Sequence, residues 1–448
     1  MAGPSASCGD RDGISGSCRK DIGWVDLTGK GTGMSGSKHT VIIGGGVIGG
    51  FTAWYLAQAG HKVTLIEQES FGKQCSHGNC GYVSPSHVIP LARPGQVLKG
   101  LKGMLSSETA LRINPSKLAF LAPWLLKFAL RCNSKAMMEA GKACHPLLQS
   151  SAVLYREIFE QQNMLVDWKT DGLLFVFRDQ HEFAEYEQSD AWLRKNFDMG
   201  AEPFAGKALQ ELEPALKPGL AGAWLYRCDA HLRPGKLMSE LRRILLASGV
   251  RILENTAMTS FSGGNGKATA VMTTGESISA DNFVVATGAW TPLLKKSLGV
   301  KLPIQPGKGY SITMARPKLC PKYPMILEEC HVAITPFEEG YRVGSTMEFS
   351  GYDTTLNRQR LNYLRSGAAE YLHEPTAEPV EEEWYGWRPM TPDGIPYIDR
   401  SPLYSNVWIA AGHSMLGISM GTGTGKLVAE LITGQKPHVD AAAYRVNR

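Results

Sequence analysis

The sequence predicts an α/β protein with two domains. Residues 41–67 run in the order apolar strand, glycine turn, helix, second strand and terminal carboxylate, which is typical of a dinucleotide-binding βαβ unit. The chain has 448 residues and 43% hydrophobic content, enough for a large core that divides between two domains. Strand-like stretches also recur far outside this unit, and they predict a second module.

Each of three glycines in the turn is predicted to have its own role. Gly44 permits the tight turn out of the first strand, Gly46 lets the backbone approach a pyrophosphate, and Gly49 lets the helix pack closely against the sheet. The diphosphate then faces the helix N-terminus. Glu67 closes the second strand, where it can accept a hydrogen bond from a ribose hydroxyl. The alternative is an ordinary strand-to-helix turn with an exposed glutamate at its end.

Further elements follow from composition and periodicity. Residues 71–85 are too rich in small and polar side chains for regular structure, so we predict a functional loop there. Residues 96–165 have helical apolar spacing, and a helix is expected over 237–246 and from near Thr424. Strands are expected at 172–177, 249–254, 278–289, 309–313, 331–335, 341–344 and 407–411.

Charge and cysteine content exclude several classes of protein. The formal net charge of +5 is small for this length and no basic block stands out, so nucleic acid is not an expected partner. The nine cysteines lack metal-type spacing, and their odd number argues against a disulfide framework. We therefore expect no metal and a reducing cellular interior. No apolar run reaches the length of a membrane span.

The residues before Met34 are rich in Gly and Ser and carry both acidic and basic side chains. They contain no apolar segment typical of a secretory signal, and their acidic residues do not fit an Arg-rich transit peptide. Residues 1–37 are therefore predicted to be a disordered extension.

Several motifs together carry a family resemblance. They are the glycine turn with Glu67, the loop from Cys75 to Pro85, the segment Ala286-Thr287-Gly288, the segment from Lys308 to Thr313, the block from Trp387 to Gly394, and Gly412-His413. In this order they resemble the D-amino acid oxidase and dehydrogenase superfamily of FAD-dependent enzymes, and most closely its bacterial D-amino acid dehydrogenase branch. The resemblance covers nearly everything after Met34.

The resemblance implies a doubly wound, Rossmann-like FAD domain interleaved with a mixed-sheet substrate domain. The FAD domain is expected in three segments, residues 38–95, 230–300 and 385–440, and the substrate domain in residues 96–229 and 301–384. FAD is the expected cofactor. Its expected contacts are Gly44, Gly46, Val47, Ile48, Gly49, Glu67, Gln68, Ser76, Asn79, Gly81, Val83, Ala286, Gly288, Gly412, Gly417, Ile418 and Ser419. Small residues in the two loops would let backbone amides reach the flavin ring.

Arg388 is the expected partner of the substrate carboxylate, because a guanidinium pairs with a carboxylate through two parallel hydrogen bonds. The alternative is an arginine salt-bridged to the acidic stretch 381–383. Tyr310 is expected to add a hydroxyl at the substrate, or else to face the core. His87 follows the flavin loop and is a further catalytic candidate, whereas His413 is expected only to shape its loop.

By this resemblance the reaction is hydride transfer from the α-carbon of a D-amino acid to flavin N5, followed by hydrolysis to a 2-oxo acid and ammonia. The expected electron acceptor is a quinone or another acceptor. Enzymes that act on D-proline, hydroxy-D-proline, glycine or sarcosine are the open alternative within the superfamily. An NAD-dependent dehydrogenase and a non-catalytic flavin-binding subunit are the alternatives outside this activity.

Three smaller expectations concern the flavin loop and the surface. His77 is one place off the register of relatives that bind flavin covalently, so noncovalent FAD is expected, and Cys75 and Cys80 are expected to pack rather than react. Residues 118–128 are predicted to form a core helix, with a surface patch at the lipid interface as the alternative. The expected location is cytoplasmic, with peripheral contact to the inner face of the cell membrane left open.

Overall fold

The computed structural model describes residues 37–97 and 111–448. The predicted N-terminal extension lies outside the described residues apart from Ser37. Two large sheets organise the described part of the chain, and each is assembled from strands that are far apart in sequence. The predicted fold class, a Rossmann-like α/β domain combined with a mixed-sheet domain, is confirmed.

The first sheet has six strands. In spatial order they are β19 (Tyr397–Arg400), β20 (Val407–Ala411), β13 (Asn282–Val285), β1 (His39–Ile43), β2 (Lys62–Ile66) and β9 (Arg251–Leu253). All neighbours pair in parallel except β19 and β20, which pair antiparallel at one edge. The carboxyl ends of β1, β2, β13 and β20 therefore meet at the same side of the sheet, which is where ligands bind in open α/β folds.

Both faces of this sheet are covered, which explains the continuous apolar runs in β1 and β2. Ile42 and Leu65 face a layer of three helices: α1 (Val47–Gln58), α6 (Pro234–Ala247) and α9 (Gly421–Thr433). Val41 and Ile66 face a three-stranded antiparallel sheet of β10 (Met258–Gly264), β11 (Lys267–Thr273) and β12 (Ser277–Ser279). Alternate residues of one strand therefore pack in two different hydrophobic cores, one on each face of the sheet.

The second large sheet has nine strands and is mixed. In spatial order they are β18 (Val380–Met390), β14 (Gln305–Met314), β17 (Tyr341–Phe349), β16 (Val332–Pro336), β15 (Met325–Leu327), β5 (Leu173–Phe177), β7 (Gly222–Tyr226) and β6 (Glu202–Phe204), while β4 (Leu111–Ile113) pairs with β17. β15 with β5 and β4 with β17 pair in parallel, and the other pairs are antiparallel. The strands predicted near 172, 309, 331 and 341 all belong to it.

The remaining elements connect and cover the sheets. The helices are α2 (Leu118–Arg131), α3 (Ser134–Gln162), α4 (Gln180–Phe197), α5 (Gly206–Leu212), α7 (Lys295–Leu298) and α8 (Arg358–Ala369). Short 3-10 helices span Pro115–Lys117, Gly288–Leu294 and Ala441–Tyr444, and β3 (Tyr82–Val83) pairs with β8 (Ala230–His231). The side chain of Asn133 caps α3 by accepting a hydrogen bond from the Ala136 amide.

The single strand predicted over residues 278–289 is wrong. The chain forms β12, turns at Ala280 and Asp281, and continues as β13 in the parallel sheet. The Asp281 carboxylate accepts a hydrogen bond from the His39 amide, so the turn is anchored to the start of β1. After β13 the chain bends into a 3-10 helix at Gly288. β12 alternates as Ser277-Ile278-Ser279, and the apolar run of β13 begins at Phe283, so the polar pair Asp281-Asn282 between them is the turn signal that the single-strand prediction overlooked.

The core assignment of residues 118–128 also needs correction. They form a helix, α2, but Leu121 and Trp124 are its buried side chains. These two pack against Met347, Phe349 and Met390 of the mixed sheet. The opposite face of α2, which includes Leu118, Phe120, Leu126 and Leu130, is exposed. A helix that lies over a sheet buries only one stripe, and apolar composition on all sides does not change that geometry.

The predicted domain boundaries can be compared with the sheets. The strands of the first sheet come from residues 39–66, 251–285 and 397–411, and those of the mixed sheet come from residues 111–390. β18 runs across the predicted boundary at residue 385. The described residues from Ser37 onward form one compact unit by contact, so the boundaries within it stay a prediction.

Among residues 37–97 and 111–448, no helix combines the length and the apolar character that crossing a bilayer requires.

Gly425 lets α9 pack closely against α1, so a larger side chain at this position is expected to destabilise the protein. A Cβ atom at Gly425 would lie 2.7 Å from the Phe51 carbonyl carbon and 2.8 Å from the Thr52 amide nitrogen, so backbone would have to move. We expect Gly425→Val to lower the free energy of unfolding by about 1–3 kcal/mol through overpacking. Chemical denaturation followed by circular dichroism measures the change.

Gly264→Val is the matched control, because nothing lies within 4 Å of a Cβ atom at this exposed strand position. The control should unfold at the midpoint of the unmodified chain. Equal midpoints for Gly425→Val and Gly264→Val would contradict the proposed helix contact.

Candidate active site

A cavity of about 660 Å³ is bordered by both large sheets. Its volume lies within the range of small-molecule and cofactor sites. The lining includes the β1–α1 turn, residues 74–76 and 78–80, the chain after β13, parts of β14 and β18, and residues 413–419. Segments that are distant in sequence therefore meet around one space at the carboxyl side of the parallel strands, as the first sheet requires.

The β1–α1 turn is held by two close backbone contacts. Gly44 has φ +113°, and a Cβ atom there would lie 2.5 Å from the Ala286 carbonyl oxygen. A Cβ atom at Gly49 would lie 1.9 Å from the Gly44 carbonyl oxygen. Neither glycine lines the cavity. Both are required by the packing of the turn against β13 and α1, in agreement with two of the three predicted purposes.

Gly46 differs from these two glycines. It lines the cavity, and a Cβ atom there would meet only the Ser76 hydroxyl oxygen, at 3.4 Å. Packing within the protein therefore leaves room for a side chain at position 46. A ligand that approaches the backbone here explains why the residue is glycine. Val47 and Ile48 also line the cavity at the start of α1, where the positive end of the helix dipole favours a diphosphate. This turn fits the pyrophosphate of FAD.

Glu67 is buried at the end of β2 and lines the same cavity together with Gln68. Its Oε2 accepts a hydrogen bond from the Gly45 amide at 2.7 Å, and its Oε1 accepts one from the Glu69 amide at 3.1 Å. Burial raises the pKa of the Glu67 carboxyl, although these amides oppose the shift. A carboxylate has further lone pairs beyond these two bonds, so Glu67 can also accept from a ribose hydroxyl.

The loop after β2 contributes Ser76 and Asn79 to the lining. The Asn79 side chain accepts a hydrogen bond from the Gly81 amide at 2.7 Å, while the buried Arg342 guanidinium donates to the Asn79 carbonyl at 2.7 Å. Gly81 and Val83 are absent from the lining. A Cβ atom at Gly81 would lie 2.0 Å from the Leu232 carbonyl oxygen, so packing against the neighbouring strand accounts for this glycine.

The C-terminal loop closes the other side of the cavity. Gly417, Ile418 and Ser419 line it, as do Ala286 and Gly288, whereas Gly412 does not. The Ser419 hydroxyl donates to the Tyr82 carbonyl at 2.9 Å and accepts from the Ser84 amide at 3.2 Å. One serine therefore joins the two loops that were predicted to hold the flavin ring.

Arg388 lies on β18 and lines the cavity. Its Nη1 donates to the Thr346 carbonyl at 2.6 Å, and none of the ion pairs in the described part of the chain includes it. A Cβ atom at Gly309 of the paired strand would lie 2.3 Å from Nη1, so glycine makes room for the guanidinium. Burial lowers the pKa of Arg388, which remains a cation.

The alternative of a salt bridge to the acidic stretch 381–383 is wrong, because each of these glutamates pairs elsewhere. Glu381 pairs with Arg233, Glu382 with His77 and Arg342, and Glu383 with Arg358 and Arg365. The guanidinium of Arg388 is thus directed to the cavity without an acidic protein partner among the described residues.

Tyr310 lines the cavity, but its hydroxyl donates to Glu348 at 2.6 Å. Burial and Glu348 both raise the pKa of Tyr310, so its proton stays on the hydroxyl. Its ring is fully buried and packs in the core cluster that contains Ile312 and Val343. Tyr310 therefore borders the cavity while its ring faces the core, as the alternative expected, and a role of the hydroxyl at the substrate stays a prediction.

His87 also lines the cavity, and its ring centroid lies 5.6 Å from that of Phe175. Its Nδ1 is buried without a hydrogen-bond partner in the described residues. Burial and the neighbouring Arg93 lower the pKa of His87 to about 4. The imidazole is therefore neutral near pH 7, and its catalytic role stays a prediction.

Two other histidines make contacts that are typical of structural residues. His77 pairs with Glu382 at 2.9 Å and does not line the cavity, although Ser76 and Gly78 do. His413 lines the cavity, is buried and shares a 3.0 Å hydrogen bond with the Thr424 hydroxyl at the start of α9, so it shapes its loop. Noncovalent attachment of FAD stays a prediction.

The cysteines of the loop lie in the cavity wall. Cys75 and Cys80 both line the cavity and are free thiols whose pKa is raised by burial. Within the two described ranges, no cluster of His, Cys, Asp or Glu could hold a metal ion.

Sequence reasoning missed part of the lining. Ser84 lies within the loop from Cys75 to Pro85 and Ser86 directly follows it, and both line the cavity with Phe175, Tyr186 and Trp290. Their position in and beside a motif that was already singled out was a usable signal. The aromatic residues carry no such signal, because strand and helix aromatics are more often buried in a core.

Comparisons with known proteins agree with this geometry. The DAO family model, described as FAD dependent oxidoreductase, matches residues 39–431. A protein named D-amino acid dehydrogenase from Granulibacter bethesdensis is 31% identical over 420 residues, which cover 92% of this chain and 99% of that protein. Among solved structures, glycine oxidase from Bacillus cereus has a TM-score of 0.72 at 22% identity and covers 90% of this chain and 97% of its own.

L-proline dehydrogenase from P. horikoshii has a TM-score of 0.71 at 20% identity and covers 92% of this chain and 97% of its own. These two solved structures share the fold with this chain.

Because a Cβ atom fits at Gly46 in the empty protein, a substitution there is expected to weaken FAD binding without destabilising the fold. We expect Gly46→Ala to leave the stability of the flavin-free protein unchanged, because the added Cβ meets only Ser76, while FAD binding weakens at least about tenfold, or about 1.4 kcal/mol. Flavin fluorescence titration of the flavin-free protein measures the dissociation constant. Unchanged FAD affinity would show that the pyrophosphate does not approach Gly46.

Proposed function

This chain belongs to the DAO family of FAD-dependent oxidoreductases, and we propose that it oxidises free D-amino acids to 2-oxo acids and ammonia. The relatives named D-amino acid dehydrogenase, 31% identical over most of the chain, support this substrate class. The single observation that carries the proposal is the half-buried guanidinium of Arg388 at the cavity wall, which forms no ion pair within the described part of the chain.

Arg388 fits the carboxylate that every free amino acid presents. One Nη1 hydrogen bond to Thr346 fixes the side chain, and the other donors of the planar guanidinium can form two parallel bonds to a carboxylate. Without a ligand, the cation is partly desolvated and has no acidic partner among the described residues, so a bound anion gains a charge-assisted contact in a low-dielectric site. Anchoring the carboxylate orients the α-carbon in the cavity.

FAD, when bound, would supply the two-electron acceptor for the hydride that leaves the α-carbon. The protein supplies position and surroundings: Arg388 holds the carboxylate, and Trp384 and Trp387 line the cavity beside it. The resulting imino acid reacts with water to give the 2-oxo acid and ammonia, so no protein nucleophile is required. The proposed contacts of FAD are those around Gly46, Glu67, Ser76, Asn79 and the C-terminal loop.

Cyclic and secondary amino acids form the second candidate class. D-proline, hydroxy-D-proline, glycine and sarcosine present the same carboxylate to Arg388. Glycine and L-proline are also the substrates in the names of two solved structures that share the fold. The choice between the classes depends on how the rest of the cavity receives the amine and the side chain.

Anaerobic reduction of the bound flavin tests the proposed function. We expect D-alanine and other D-amino acids to bleach the flavin absorption, and their L-enantiomers to react far more slowly. D-proline, hydroxy-D-proline, glycine and sarcosine are included in the same panel. Subsequent addition of air or a soluble quinone identifies the acceptor, and a flavin that no amino acid reduces would rule out the proposal.

Substitution of Arg388 tests the observation that carries the proposal. Arg388→Ala should raise the apparent KM at least about tenfold and retain FAD, because it removes a charge-assisted contact to substrate. Arg388→Lys should restore part of the affinity, since lysine keeps the charge but not the planar fork. The matched control is Arg358→Ala, which removes a cation that pairs with Glu383 outside the cavity.

We further propose that the exposed face of α2 contacts an anionic membrane surface and brings the enzyme to a quinone acceptor. The exposed fractions are 40% for Leu118, 69% for Phe120, 62% for Leu126 and 68% for Leu130. The basic residues Lys117 and Lys127 lie beside them and are exposed. An apolar face flanked by basic residues is typical of helices that lie in a lipid interface.

Vesicle sedimentation tests the proposed membrane contact. The protein should bind phosphatidylglycerol vesicles more strongly than phosphatidylcholine vesicles, and salt should weaken the binding. Leu126→Ser combined with Leu130→Ser should weaken binding at least about tenfold, because each leucine contributes about 1.5–3 kcal/mol when buried. Leu165→Ser is the control, as this leucine is 78% exposed outside α2. Equal binding by the double variant and the control would contradict the proposed contact.

A further inference from the structure

A buried carboxyl group lies behind the cavity wall and has no part in the site described so far. Asp229 is fully buried in the turn between β7 and β8. Its Oδ1 accepts a hydrogen bond from the Ser86 amide at 3.0 Å, and its Oδ2 accepts one from the Ser86 hydroxyl at 2.5 Å. Both carboxyl oxygens thus accept from Ser86, and Oδ1 also accepts from the Cys228 thiol at 3.6 Å.

Ser86 connects this carboxyl group to the cavity. It is buried, lines the cavity and stands between Ser84, which also lines it, and His87. The Ser84 amide donates to the Ser419 hydroxyl, so this stretch is fixed to the C-terminal flavin loop. A ligand in the cavity can therefore approach Ser86, while Asp229 stays out of reach behind it.

The charge environment of Asp229 is unusual for an aspartate. In the described part of the chain no basic side chain forms an ion pair with it, and the titratable groups that face it are the thiol of Cys228 and the hydroxyl of Tyr226. Tyr226 is in turn the acceptor of a hydrogen bond from Tyr186. Burial raises the pKa of Asp229 to about 7, although both Ser86 bonds oppose the shift.

We propose that Asp229, acting through the Ser86 hydroxyl, takes up the proton that the substrate ammonium group loses before the α-carbon is oxidised. This inference rests on the proposed function, since it requires an amino acid bound at Arg388. A free amino acid enters as a zwitterion, and only its neutral amine has the lone pair that stabilises the carbon as the hydride leaves.

The proton transfer balances without a further reactant. One N–H bond of the ammonium breaks as its proton passes to the Ser86 oxygen, and the original hydroxyl proton of Ser86 passes to Asp229 Oδ2. The products of this step are a neutral amine, an unchanged serine hydroxyl and a neutral carboxylic acid. Asp229 returns the proton through Ser86 to water when product leaves.

Three of the groups at the cavity are poorly suited to this task. Arg388 is a permanent cation, and the Tyr310 hydroxyl already donates to Glu348. His87 lines the cavity, but the neighbouring Arg93 and burial oppose its protonation. A base works best when its pKa lies near the working pH, and Asp229 meets that condition. Because Ser86 lies between Asp229 and the cavity, Asp229 positions Ser86 and holds the proton but does not touch the substrate.

The pH dependence of anaerobic flavin reduction tests the proposal. In the unmodified holoenzyme, the reduction rate with a D-amino acid should rise as pH increases through about 7, because ionised Asp229 is the competent form. Asp229→Asn should remove this rising limb of the pH profile and slow flavin reduction at least about tenfold near pH 8. Its rate should approach that of the unmodified enzyme at alkaline pH, where the substrate amine is already neutral in solution.

Two further variants separate a proton role from a structural one. Ser86→Ala keeps Asp229 but breaks the connection, so it should reproduce the lost limb even if Asp229→Asn folds poorly. Asp229→Glu keeps an ionisable group and should restore part of the limb. Asp190→Asn is the matched control, since this buried aspartate accepts a hydrogen bond from the Ala201 amide and lies outside the cavity. Its pH profile should match that of the unmodified enzyme.

A readout that does not require turnover completes the test. Infrared difference spectra of the flavin-free protein between about pH 6 and pH 8 should contain a protonated-carboxyl band that Asp229→Asn removes and Asp190→Asn keeps. An unmodified enzyme whose flavin no amino acid reduces would refute the proposed function. Normal reduction with an unchanged pH profile in both Asp229→Asn and Ser86→Ala would overturn this inference alone.

Discussion

The close backbone approach between the β1–α1 turn and the chain after β13 is the constraint on which the rest of the site depends. Gly44 meets Ala286, and Gly49 meets Gly44, at distances that exclude any side chain. These contacts place the start of α1 at the carboxyl edge of the parallel sheet. Gly46, Val47 and Ile48 line the cavity there, and the positive end of the helix dipole makes that position suitable for a diphosphate.

The cavity is organised by charge as well as by shape. Its half-buried guanidinium, Arg388, donates to a backbone carbonyl, and the acidic residues on the same strand form ion pairs with other arginines. Leaving a cation without an anion in a low-dielectric site costs free energy in the empty protein. A bound carboxylate offsets that cost, so the arrangement favours anionic substrates over neutral ones of similar shape.

Buried polar contacts connect segments that the chain brings from far apart. Ser419 joins the C-terminal loop to the loop after β2, and Arg342 of the mixed sheet donates to carbonyls of the same loop at His77 and Asn79. Asp229 holds Ser86 in the same region. Such satisfied networks restrict the loops to one arrangement, which pre-organises the cofactor site and couples it to the substrate side.

The sequence alone determined the features that depend on local chemistry. The strand, glycine turn and helix around Gly46, the acid at Glu67, and the family motif that includes Arg388 are read from neighbouring residues, because turn geometry and strand period act over a few positions. The tertiary structure alone decided which charges pair, which face of α2 is exposed, and that Asp229 meets Ser86 across 143 residues. These outcomes depend on how distant segments pack, and no local periodicity encodes them.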